Sequence, residues 1–192
     1  EANPCSLLID RIAQVQETAP RLSALIRDGG NVKAVMLAIN LLSDMDAPHP
    51  FDAYVAWLTD ENIDNEQREL AVEVMTDHAD EVAGSLYGLL ENATLAQKTI
   101  IAEILVNAKH DERTYQLLLE LLTEGDNVPL YAGYLGKYGD ERAAAVLYRM
   151  LDDCNYLEYI EIKNAIERMG GVVDDVRDFS QDPYYRALKN LK

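Results

Sequence analysis

The stretch Leu118-Leu119-Glu120-Leu121-Leu122-Thr123-Glu124-Gly125-Asp126 decides the fold, because its pattern recurs along the chain at a fixed interval. With Leu122 as anchor, Leu121 stands one residue before it and Leu118 four before. Anchors at Ile26, Leu58, Leu90, Leu122 and Leu151 are separated by 32, 32, 32 and 29 residues. The residues preceding them are Leu25, Trp57, Leu89, Leu121 and Met150, and four before stand Leu22, Tyr54, Leu86, Leu118 and Leu147. Positions i, i+3 and i+4 share one face of an α-helix, so each copy predicts an amphipathic helix ending just past its anchor. A polar or glycine-bearing stop follows each, as in Asp28-Gly29-Gly30 or Gly125-Asp126, where Gly suits a left-handed helix end and Asp, Asn or Thr caps the next helix.

A second helix is predicted in each copy, over about 31–44, 65–77, 94–109, 128–138 and 156–169. Small residues near their centres (Ala38, Ala71, Ala102, Ala132 and Ala165) predict close helix approach. A single pair of this kind cannot bury its apolar faces, whereas stacked pairs share a continuous core. The expected fold is therefore all-α: one domain over 1–192, an α-solenoid of about five antiparallel helix pairs. Residues 1–19 read as an N-terminal cap or partial repeat, 20–171 as the five pairs, and 172–192 as a C-terminal cap with a short helix from Pro183.

The segment Tyr134 to Asp153, YLGKYGDERAAAVLYRMLDD, resembles the bacterial HEAT-like repeats first named after phycobiliprotein lyases. Leu135, Gly136, Gly139, Asp140, Ala143, Val146, Leu147 and Leu151 carry the resemblance, and a weaker copy runs from Asp111-Glu112-Arg113 to Leu122. The resemblance implies a HEAT/armadillo-like superhelix and says little of function, since such solenoids serve as lyases, scaffolds, adaptors and DNA-repair enzymes. Hydroxylases of this architecture use His-Glu pairs as iron ligands, and none of His49, His78 and His110 is followed by Glu.

Charge narrows the partner. Thirty-four Asp and Glu against 17 Lys and Arg give a net charge of -17, which repels nucleic acid and anionic membranes. No apolar run reaches the roughly 20 residues needed to cross a bilayer. Cys5 and Cys154 form no CxxC pair, so reduced thiols in the cytoplasm are expected. No nucleophile elbow, phosphate loop or metal set is legible, so no catalytic residue, metal or cofactor is expected. His78 and His110, one repeat apart, predict at most two convergent ligands, too few for zinc.

Two constellations remain. Glu66, Glu69, Glu73 and Asp77 form an acidic stripe opposite Leu70, Val74 and Met75; such stripes are ordinarily solvated faces, and this one alternatively meets a basic partner. Tyr131, Tyr134 and Tyr138 share one helix face among 11 tyrosines; Tyr134 and Tyr138 read as core residues with hydroxyls at the rim, or the three as an aromatic patch for a partner. The expected function is a non-catalytic protein–protein scaffold or adaptor whose acidic surface takes a basic protein or peptide. A tetrapyrrole lyase-like small-ligand binder, or a fragment of a larger multidomain protein, is the alternative.

Overall fold

The computed structural model describes residues 17–190, and these are all-helical, with no strand among them. They form two compact units, divided between Ala93 and Thr94. In the first lie α1 (Thr18–Asp28), α2 (Val32–Asp44), α3 (Phe51–Trp57), α4 (Asn65–Asp77) and α5 (Ala79–Leu89). In the second lie α6 (Leu95–Leu105), α7 (Glu112–Glu124), α8 (Val128–Tyr138), α9 (Ala144–Met150), α10 (Tyr156–Arg168) and α11 (Pro183–Asn190). The cap expected over 1–19 lies almost wholly outside the described residues.

Polar caps set where helices begin. Asn31, Asp64, Asp111 and Asn127 each accept a backbone N–H of the first turn, and Thr94–Gln97 and Asn155–Glu158 form complete capping boxes. Each cap stabilises its helix by about 1 kcal/mol. One boundary differs from the sequence reading: α6 stops at Leu105 rather than near residue 109. The Asn107 amide donates to the carbonyls of Glu103 (2.9 Å) and Ile104 (3.3 Å), taking acceptors that further helical turns would use.

In the first unit α2 packs on α4 and α3 on α5, in addition to the sequential contacts. Ile26, Val35, Ile39, Leu42, Tyr54, Met75 and Leu86 are fully buried between them. The second unit has its core in Ile101, Ile104, Leu105, Leu118, Leu121, Leu135, Leu147, Ile162 and Ile166, all without exposure. Removing such a side chain from water stabilises by about 1.5–3 kcal/mol. All five centre alanines are buried (Ala38, Ala71, Ala102, Ala132, Ala165). α8 and α10 approach closely: a Cβ on Gly136 would stand 2.7 Å from Ala165 Cα. One column position fails: Leu25 is 37% exposed, because α1 packs chiefly on α2 and turns Ile26, not Leu25, inward.

The repeated Asp-Glu-Arg motif has one geometry in both copies. Asp111 Oδ1 accepts the Arg113 N–H at 2.9 Å, and Asp140 Oδ1 accepts that of Arg142 at 3.0 Å. Each arginine then folds back, its terminal nitrogen 2.7 Å from the second oxygen of its own aspartate. Arg142 also reaches Glu112 at 2.8 Å and lies over the Tyr115 ring at 4.1 Å, tying the start of α7 to the residues before α9.

Candidate functional site

The acidic stripe occupies α4. Gln67, Ala71, Val74 and Met75 of that helix are buried, which turns Glu66, Glu69, Glu73 and Asp77 to solvent on the opposite side. Arg68 is the sole cation in the helix, and it is committed elsewhere. Its guanidinium donates to the Trp57 (3.2 Å) and Asp60 (2.8 Å) carbonyls and to Asn65 Oδ1 (2.9 Å), closing the loop before α4. None of the four acids forms an ion pair among the described residues. Glu69–Glu73 and Glu73–Asp77 are like charges at i,i+4, a spacing that costs an exposed helix a few tenths of a kcal/mol, roughly 0.2–0.5 per pair.

At the C-terminal end of the stripe lies a cleft of about 190 Å³ lined by Ser43, Asp46, His49, Asp77 and His78 among others. The His49 ring is held from both sides: Nε2 is 3.2 Å from Ser43 Oγ, and Nδ1 is 3.0 Å from Tyr54 Oη. The His78 ring centroid lies 5.9 Å from that of His49 and 5.3 Å from that of Phe51, and its Nδ1 is 3.0 Å from Glu81 Oε1. Burial, followed by the nearby His78, pushes the His49 pKa down, against a smaller opposing pull from Glu81. Burial holds the Tyr54 phenol far above its ordinary value, so it keeps its proton. Asp46, at φ 50, makes the left-handed turn that folds His49 back toward α2.

This cluster is invisible in the sequence. Ser43, His49, Tyr54 and His78 meet through one turn and a helix junction, at spacings that carry no motif. His78 faces His49 across the cleft, while His110 stacks on Tyr138 with centroids 4.4 Å apart. Among the described residues no group of three or more His, Cys, Asp or Glu converges as a metal site.

The tyrosines of α8 divide, and the surface-patch alternative fails at two of them. Tyr131 and Tyr138 are buried, at 3% and 4% exposure, so they belong to the core and not to a surface patch. Their hydroxyls are engaged inside the second unit: Tyr131 Oη lies 3.3 Å from Thr99 Oγ1, and Tyr138 Oη meets the backbone of Asp111. The physical reason is that i and i+7 return to the same buried face, whereas Tyr134 at i+3 sits at its margin. Tyr134 is half-buried, and burial with the neighbouring Glu103 carboxylate pushes its pKa up to about 12.

The C-terminal segment draws on further tyrosines. Tyr148 Oη donates to the Val172 carbonyl (2.9 Å) and accepts the Val172 N–H (3.0 Å), and Tyr159 Oη donates to the Asp175 carbonyl (2.8 Å). Lys163 Nζ donates to the Val173 carbonyl at 3.0 Å, and the Phe179 ring packs between Tyr156 and Tyr159. Residues 172–182 thus lie along α10 as an irregular strap. Tyr138, Tyr148 and Tyr159 hold backbone in place through their hydroxyls. No described helix is long and apolar enough to cross a membrane. The chain matches no family model, no curated protein and no solved structure.

Proposed function

We propose that this chain is a non-catalytic binding module whose α4 face takes a basic protein or peptide. The observation that carries the reading is the state of α4: four solvent-facing carboxylates in one stripe, with the sole cation of the helix turned into the neighbouring loop. A surface that only needed solubility has no reason to stack like charges at i,i+4 at a cost in helix stability. Complementary charge accelerates encounter with a basic surface and disfavours nucleic acid. In the same reading, each unit is built of HEAT-like helix pairs. The burial of all five centre alanines and the packing of α2 on α4, α3 on α5, and α8 on α10 support it.

The test is binding of a fluorescent Lys/Arg-rich peptide, followed by anisotropy at low and moderate salt. Glu69→Lys with Glu73→Lys is compared with Glu124→Lys with Asp126→Lys, an equal charge change in the second unit. Loss of binding, about tenfold or more, confined to the α4 pair supports the reading, since tenfold corresponds to about 1.4 kcal/mol. Equal loss from both pairs overturns it and leaves acidity as a general property of the surface.

A further inference from the structure

The His49 cluster carries an inference that is independent of the partner assigned to α4. Its hydrogen-bond directions follow from the hydroxyl of Ser43. That O–H donates to the Ile39 carbonyl one turn back (3.3 Å), so Ser43 Oγ is left to accept from His49 Nε2–H at 3.2 Å. A neutral imidazole has a single N–H, so Nδ1 is bare and accepts the Tyr54 O–H at 3.0 Å. Tyr54 has no exposed surface, and among the described residues no buried side-chain polar atom lacks a partner. Adding a proton to His49 places Nδ1–H and Tyr54 O–H head to head. The phenol must then turn its hydrogen away from His49, its one side-chain partner among the described residues, into a site closed to water.

We propose that the His49–His78 pair is a proton-operated latch on the first unit: with His49 neutral, the turn between α2 and α3 is fastened to Tyr54 and packed against the α4–α5 junction, and charging His49 unfastens it. The two rings differ in what awaits a proton. His78 has the Glu81 carboxylate at 3.0 Å to meet a charge, while His49 has two hydroxyls and its neighbour's ring 5.9 Å away. The other titratable groups that line the cleft or act on His49 are Asp46 in the turn, Tyr54 on α3, Asp77 at the end of α4, and Glu81 on α5. Asp46, Asp77 and Glu81 are exposed, so water screens their attraction for an imidazolium and leaves the Glu81 pull smaller than the opposing effects of burial and His78. Tyr54 holds its proton and offers no charge.

The sign follows from linkage. A histidine whose pKa is lowered by folding stabilises the folded state fully above its unfolded value, 6.5, and loses that contribution as the pH falls from there through the folded value. The experiment is ring-nitrogen NMR on the full chain across pH, with melting temperatures at about pH 7.5 and about pH 5.5, the range in which histidine is the side chain that titrates. His49 is expected as the Nε2–H tautomer, titrating below 6.5. Tyr54→Phe removes the opposing O–H and is expected to raise the proton affinity of His49 at least about threefold. His49→Gln keeps a donor and an acceptor without a charge, and should lose at least half of the fall in melting temperature. An Nδ1–H tautomer, or a titration at or above 6.5 that Tyr54→Phe does not move, overturns the latch even if His49→Gln proves too unstable to compare.

Discussion

Tyr138 grips Asp111 across 27 residues by both ends of one residue's backbone: its hydroxyl accepts the Asp111 N–H at 2.6 Å and donates to the Asp111 carbonyl at 3.0 Å. Tyr148 does the same to Val172. In each case a phenol, buried at Tyr138 and exposed at Tyr148, replaces the partners that an irregular stretch of chain cannot supply to itself. Tyr138→Phe keeps the ring, and its stacking on His110, but strands two backbone groups. It should cost about 1–3 kcal/mol by urea unfolding. Tyr134→Phe, at the margin of the same helix, should stay within about 0.5 kcal/mol of the parent.

Gly136 and Gly133 lie on one helix in opposite situations. A Cβ at Gly136 would meet Ala165 Cα at 2.7 Å and Cβ at 2.9 Å, whereas nothing lies within 4 Å of one at Gly133. Gly136→Ala must push α10 away from α8 and should destabilise by about 1–3 kcal/mol. Gly133→Ala removes unfolded-state freedom without a clash and should stabilise by about 0.5–1 kcal/mol. Equal effects in thermal unfolding would mean that the α8–α10 contact is looser than the geometry states.

The acidic stripe predicts a stability gain where binding is lost. Glu73→Lys turns the Glu69–Glu73 repulsion into a Glu-to-Lys pair in the favourable i,i+4 order. The variant should unfold no earlier than the parent and gain up to about 0.5–1 kcal/mol at low salt, with the gain shrinking as salt rises. A destabilised variant would show that Glu73 serves the fold.

Acid should act on the second unit through its Asp-Glu-Arg motifs. The side-chain hydrogen bond from Arg113, ahead of that from the Arg113 N–H, pulls the Asp111 pKa down to about 2. Arg142 lowers Asp140 and Glu112 in the same way. Depressed carboxylates contribute stability above their unfolded values and lose it as the pH falls through the folded ones. Far-UV circular dichroism between about pH 4 and about pH 2 should show an acid transition that Arg142→Gln makes shallower. These groups are exposed, so about 0.5 M salt should weaken the effect as well.

Asp182 caps two helices at once: Oδ2 accepts the Tyr156 N–H at the start of α10, and Oδ1 accepts those of Tyr184 and Tyr185 at the start of α11. Asp182→Ala should cost about 1–2 kcal/mol and speed amide exchange in residues 172–189 ahead of the rest of the second unit. Uniform exchange across that unit would mean that the strap and α10 open together.

How far the sequence reached depends on the range of the interactions concerned. The 32-residue column of Leu58, Leu122 and their equivalents, the second-helix starts near 65, 128 and 156, and the centre alanines were legible because helix periodicity and capping act within four residues along the chain. Local rules also placed Glu66, Glu69, Glu73 and Asp77 on one exposed face of α4. They failed where a neighbour competes: Asn107 ends α6 early, and Leu25 is left outward where α1 packs chiefly on α2. Tertiary structure alone decided that Tyr131 and Tyr138 are core residues whose hydroxyls hold distant groups. It alone brought His49 to Ser43, Tyr54 and His78, since the burial and hydrogen-bond partners that set a titration arrive through space, from helices whose order along the chain does not announce their contact.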